Sequence, residues 1–192
     1  MMPQRLILVV MDHLILFGIL SLPILFLSGK TLLAPRSHGF YRFFSWECII
    51  CLIAFNYKFW FDEPFSIRQI CSWLLLILSI YLVIAGVVML RKAKKPGNNR
   101  VDKNLYNFEK TSELIETGIF GYIRHPMYAS LLFMGWGIFL KQPTVWLFVV
   151  AVLSSVFLYV TALSDEKECL NYFGENYRLY MQRTKRFIPF MF

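Results

Sequence analysis

Charge is scarce in this chain. Of 192 residues only 17% are Asp, Glu, Lys or Arg, and residues 69–90 and 144–164 carry none. What takes their place is apolar: 57% of the chain is hydrophobic, with 19 phenylalanines. A soluble domain of this length has too little interior to hide so much apolar surface, which leaves lipid as the solvent. Cysteine is scarce as well, at four. Cys48 and Cys51 stand in an apolar run with no second pair to close a zinc site, so they read as helix-buried thiols. Neither a disulfide framework nor a metal is expected. The net charge of +8 does not argue for nucleic acid, because the basic residues form neither a groove nor an arm. They fall between the apolar runs, where positive charge sets membrane orientation.

The first apolar run, residues 6–27, follows Arg5 as a secretion signal would. It is too long for one and lacks a small-residue cleavage pattern before Lys30, so a retained helix is expected. Further runs occupy residues 43–61, 69–90, 126–140 and 144–164. A stretch of about 20 residues crosses roughly 30 Å of hydrocarbon, and only helices satisfy the backbone there. The expectation is an all-α integral membrane protein of about five transmembrane helices, the fourth being short. Residues 1–192 form a single membrane domain. Its first part, 1–91, holds three helices, and 92–192 holds a polar connector, a helical hairpin turning at Lys141-Gln142-Pro143, and a C-terminal helix.

Sixteen of the 20 Lys and Arg fall on the side of the 30–42 loop, the 91–124 connector and the tail. That bias points the connector and tail into the cytosol and the N-terminus outward. In the tail, Leu170, Phe173, Tyr177 and Tyr180 recur at helical spacing, which reads as an amphipathic cytosolic helix over 165–186. Asp12 and His13 read as interfacial or helix-pairing groups. Glu47 reads as a partner for Arg42 or another cytosolic base.

The chain is organised around Arg124-His125-Pro126-Met127-Tyr128, where the connector becomes an apolar helix. Polar groups at the mouth of a membrane segment mark a functional site. The hairpin runs away from the cytosol after Pro126 and returns by Ser164. Arg124, His125 and Tyr128 are therefore expected to face Asp165, Glu166 and Lys167 on the antiparallel neighbour. Such a site opens to water above and to lipid at its side.

Two motifs carry a resemblance. The stretch Leu114-Ile-Glu-Thr-Gly118-Ile-Phe120 leading into Arg124-His-Pro-Met-Tyr128 resembles the core motif of the isoprenylcysteine carboxyl methyltransferases, membrane enzymes related to the phospholipid N-methyltransferases. The tail from Glu166 through Gly174, Tyr177 and Tyr180 to Ile188-Pro189 resembles that family's closing signature. The resemblance covers residues 112–190. It implies S-adenosyl-L-methionine as methyl donor and, as acceptor, the C-terminal carboxylate of a prenylated cysteine dissolved in the membrane. It implies cofactor-binding roles for Ser112, Glu113, Leu114 and Ile115, for Phe120, for His125, Pro126, Met127 and Tyr128, and for Glu166. Arg124 and His125 are the candidate catalytic residues.

Elementary chemistry assigns roles beside these. Glu166 suits the donor's ammonium, while Arg124 or His125 suits its carboxylate. Phe120 or Tyr128 can shelter adenine or the sulfonium. A carboxylate acceptor is anionic near neutral pH and needs no base, whereas an amine acceptor would call on His125. Departures from the family pattern sit on the acceptor side: Ala162 replaces an arginine and Lys167 a second glutamate. Phe120 stands for a tyrosine, and Ser130 for a glycine. Two alternatives stand beside this expectation. One is a phospholipid N-methyltransferase. The other is a sterol-reductase-like NADPH enzyme, whose tail Asp165, Cys169 and Gly174 would fit, although Met127 stands for its asparagine and Ala129-Ser130 for its Gly-Asp. The partners implied are membrane lipids and the lipid-dissolved acceptor, with no nucleic acid. The expected location is a multi-pass membrane protein whose site faces the cytosol, in a plasma membrane if prokaryotic or the endoplasmic reticulum if eukaryotic.

Overall fold

A computed structural model describes residues 2–35, 37–92 and 113–189. Six α-helices follow in order: α1 (Met2–Leu32), α2 (His38–Asn56), α3 (Ile67–Lys92), α4 (Pro126–Phe139), α5 (Val145–Phe173) and α6 (Glu175–Arg183), with short 3₁₀ turns at Tyr57–Phe59 and Gly118–Gly121. The described residues contain no strand. Three helical segments are long and apolar enough to cross a membrane: Val10–Gly29 within α1, all of α3 and all of α5. Helix α4 has 14 residues, about 21 Å at 1.5 Å per residue, which is short of the hydrocarbon thickness. Helix α2 has 19 residues and includes Arg42 and Glu47. Residues 93–112 of the connector, with most of its basic run, and the last three apolar residues, 190–192, lie outside the described residues.

Helix α3 packs on α4, α2 on α5, and α1 on α2. One core cluster joins Ile49 and Leu52 of α2 to Leu76 of α3, Ile138 of α4 and Leu147 of α5. A second lies nearer the motif and joins Leu82, Tyr128, Ala129, Leu158 and Ala162 to Phe187 of the tail. Polar pins tie helices whose lipid-facing sides give no specificity of their own. Ser45 and Ser154 hydroxyls meet at 2.9 Å between α2 and α5, and Ser72 Oγ donates to Gly137 O at 2.6 Å between α3 and α4. His13 is a helix-pairing group: its Nδ1 lies 2.8 Å from Ala54 O and its ring stacks on Phe55. Glu47 accepts from Ser21 of α1 at 2.6 Å.

The end of α5 departs from the sequence expectation. No new helix begins at Asp165; α5 runs on without a break to Phe173 and stops at Gly174. Its 29 residues span about 44 Å, longer than a hydrocarbon core, so its charged last turns extend past the apolar ones. Gly174 has φ +60°, a conformation open to glycine and strained for other residues. There the chain turns, and α6 folds back against the mouth of α4.

Candidate active site

Pro126 fixes where the site begins. A residue before proline is pushed out of helical geometry, and proline is suited to the first helical position. Helix α4 therefore starts at Pro126, with His125 at its cap in a non-helical conformation (φ −124°, ψ 63°). Freed from the helix, the 122–125 backbone pairs with the tail. Arg124 N–H donates to Lys185 O at 2.7 Å, His125 N–H to Arg186 O at 3.1 Å, and Lys185 N–H to Tyr122 O at 3.0 Å. A single parallel bridge, Ile123 with Lys185, records the same pairing. The sequence reading did not anticipate this clasp of connector on tail.

The two sequence-distant clusters meet. His125 Nδ1 is 3.5 Å from Asp165 Oδ2 and its Nε2 is 3.4 Å from Glu166 Oε1. The Tyr128 hydroxyl donates to Asp165 Oδ2 at 3.1 Å, and the Tyr128 ring stacks on His125 with centroids 5.3 Å apart. Burial alone would lower the His125 pKa. Hydrogen bonds from the imidazole to both acids, and then the acids' charges, outweigh it and hold the imidazole above its ordinary value. His125 thus lies buried between two carboxylates that favour its protonated form.

Glu166 is held by arginines and does not line the cavity described below. Its Oε1 accepts from Arg124 Nε at 3.0 Å and from Arg186 Nε at 3.0 Å, and its Oε2 accepts from Arg186 Nη2 at 2.8 Å. Arg124 is equally committed, since its Nη1 also donates to the carbonyls of Met181 and Thr184. The pair ties α4's mouth, α5 and the tail together. Lys167 is exposed.

Beside this knot lies a cavity with about 760 Å³ of empty space, its open mouth included. Such a volume suits a small-molecule site. From the motif, Arg124, His125, Pro126, Met127 and Tyr128 line it, joined by Leu114, Ile115 and Phe120 from the connector. Of the remaining expected cofactor residues, Glu113 is exposed and Ser112 lies outside the described residues. Glu113 and Glu166 are not among the lining residues.

Among the described residues, the acid that lines the cavity is Asp165, with Cys169 and Phe173 of the same helix. Positions 165, 169 and 173 share one face at a helical repeat of 3.6. Glu166 lies about 100° further round. Tyr177 and Tyr180 of α6 and Leu90 at the end of α3 complete the wall. Tyr180 Oη donates to Phe120 O at 2.7 Å and fixes the turn beneath it. Burial pushes both phenols well above their ordinary values, so both stay neutral. Gly118 belongs to the same turn. It has φ +60°, a conformation that strains residues other than glycine, and a Cβ there would press on the flexible end of Met89 of α3, 2.7 Å from its Cε.

Residues 67–176, more than half of the chain and all of α3 to α5, match the phospholipid methyltransferase family. The chain belongs to that family. The motif-based resemblance, drawn to enzymes related to it, is thereby shown at the level of the family. Among curated proteins the chain is similar to methanethiol S-methyltransferase 1 of Bradyrhizobium diazoefficiens, at 25% identity over 109 residues. That match covers 56% of this chain and 38% of the relative, so the chain spans well under two thirds of the relative's length. No solved structure matches. The family match includes the cavity residues of α4 and α5 and stops short of Tyr180 and of the Arg186 that clasps Glu166.

Proposed function

We propose that this chain is a membrane methyltransferase that uses S-adenosyl-L-methionine and acts on a lipid-dissolved acceptor, the C-terminal carboxylate of a prenylated cysteine. The observation that carries this reading is the cavity in which the His125–Tyr128 corner meets Asp165. The chemistry of its walls fits the donor. One carboxylate, Asp165, suits an ammonium, and His125 suits a carboxylate. The rings of Phe120, Phe173, Tyr177 and Tyr180 suit adenine and a sulfonium. Bound there, the donor supplies a methyl group activated by its positively charged sulfur.

The chain's own residues do the rest. Glu166 holds Arg124 and Arg186 in place and, with Asp165, favours the protonated form of His125. A protonated imidazole is not free to take a proton from an acceptor. The site therefore favours an acceptor that is already nucleophilic near neutral pH, which a carboxylate is. What remains for the protein is alignment and the exclusion of water, both served by a wet mouth beside an apolar wall. In this reading α2 and α4 join α1, α3 and α5 as membrane helices, with the cavity facing the cytosol.

A second reading, methylation of a phospholipid amine, is favoured by the family match itself. There a proton must leave the amine, and Asp165 is the carboxylate on the cavity wall able to receive it. The family match supports methyl transfer over NADPH-dependent reduction. A radiolabelled methyl-transfer assay offers a farnesylated cysteine analogue, phosphatidylethanolamine, methanethiol and a plain fatty acid side by side. Label in the farnesylcysteine ester is the expected result. Label in the phospholipid alone shifts the assignment to the second reading, and label in none of them overturns methyl transfer.

A further inference from the structure

A second cavity lies between α1, α2 and α4. We propose that it holds the acceptor's hydrocarbon chain, one helical turn deeper than the donor cavity; this rests on the methyl-transfer reading above. Helix α4 carries both cavities on one face. Met127 lines the first, and Leu131 and Met134 line the second. Residues four and seven apart share a helix face. At 1.5 Å per residue they lie about 6 and about 10 Å deeper than Met127. An acceptor with its head beside Met127 thus meets the second cavity within the reach of a few methylenes.

The second cavity has about 480 Å³ of empty space, its open side included. Helix α2 contributes Trp46, Ile50 and two further isoleucines to the wall, and α1 contributes Ile24 alone. The lining side chains are all apolar or aromatic. Such a cavity stays dry and accepts apolar guests. One polar atom stands out: Trp46 Nε1 is buried with no hydrogen-bond partner among the described residues. A buried donor left unmatched needs a reason. A hydrocarbon chain with a single weak acceptor near its head supplies one, through the thioether of a prenylcysteine or the ester oxygen of a phospholipid. Helix α1, which contributes Ile24, is held to α2 by the Ser21–Glu47 and His13–Ala54 contacts.

The test compares long-chain with short-chain acceptors on the full-length protein in detergent. One arm pairs S-farnesyl with S-dimethylallyl cysteine analogues, and the other pairs dioleoyl with dihexanoyl phosphatidylethanolamine. The arm that is methylated identifies the kind of chain. Met134→Trp fills the cavity, and the long-to-short ratio of kcat/KM should fall about tenfold or more, the scale on which an apolar pocket discriminates by size. Binding of S-adenosylhomocysteine, read from its effect on Tm, should persist and shows that the variant is folded. Should Met134→Trp not fold, Ile50→Ala decides: it enlarges the cavity and should raise the use of a geranylgeranyl chain relative to farnesyl. Ratios within about twofold of wild type in the folded variants overturn the tail site alone. Absence of methyl transfer to any acceptor by the wild type overturns the reading beneath it.

Discussion

Arg124 Nε donates to Glu166 Oε1 at 3.0 Å across a sequence separation of 42 residues. The contact joins the mouth of α4 to the last turns of α5, and both side chains are nearly fully buried. Arg186 closes on the same carboxylate from the tail. Glu166 is thus the centre of a buried ionic knot behind the cavity, and its loss acts first on the fold.

Glu166→Ala leaves two guanidiniums and the His125 imidazole without their shared partner. Breaking a buried pair by removing one side costs about 3–5 kcal/mol, so the Tm in detergent should drop by several degrees or more. Glu166→Gln keeps the oxygen and should lose less. A Tm for Glu166→Ala equal to that of wild type would show that the knot does not hold the fold.

Asp165→Asn separates the cavity's acid from the structural one. A charge-assisted contact is worth about 1.5–3 kcal/mol, so affinity for S-adenosylhomocysteine should fall about tenfold or more by calorimetry. Glu166→Gln should fall less. The opposite ranking would return the donor's ammonium to Glu166, as the sequence suggested.

That reversal shows what was legible in the sequence. Pro126 places the start of α4, and the apolar runs place α1, α3 and α5, because chain stiffness and hydropathy are local properties. The meeting of residues near 125 with those near 166 followed from hairpin geometry. Which of two adjacent acids lines the cavity was not decided by composition, since neighbours on a helix diverge by about 100°. The available signal was the repeat of Asp165, Cys169 and Phe173 on one face. The pairing of 122–125 with 185–186 had no signal in the sequence, because backbone hydrogen bonds between irregular segments leave no pattern in side chains.

The charge on His125 makes stability depend on pH. Its folded-state pKa lies above the ordinary 6.5 because the acids' hydrogen bonds and charges outweigh burial. The stability it contributes is therefore complete below 6.5 and is lost as pH rises through the folded value. Asp165 and Glu166 of α5 face it, with Tyr128 of α4 and Arg124 beside it, and Arg186 lies on the far side of Glu166. The Tm difference between wild type and His125→Gln should shrink as pH is raised from about 6 to about 9. A difference that stays flat or grows would mean that the imidazole is neutral.

Gly174→Ala tests the turn that carries Tyr177 and Tyr180 to the cavity. Open space surrounds the position where its Cβ would be, so any effect comes from the backbone at φ +60°. Holding a residue other than glycine there costs about 1–3 kcal/mol, read as a lower Tm. An unchanged Tm would show that α6 reseats without cost.

The central claim is that the α4 mouth and the α5 end together bind a methyl donor, and a ligand titration of the purified wild-type protein tests it most directly. S-adenosylhomocysteine should raise the Tm in a concentration-dependent way, by an amount equivalent to about 2.7 kcal/mol at a hundredfold excess over Kd. NADPH should leave the Tm where it was. Stabilisation by NADPH with no response to S-adenosylhomocysteine would contradict the account.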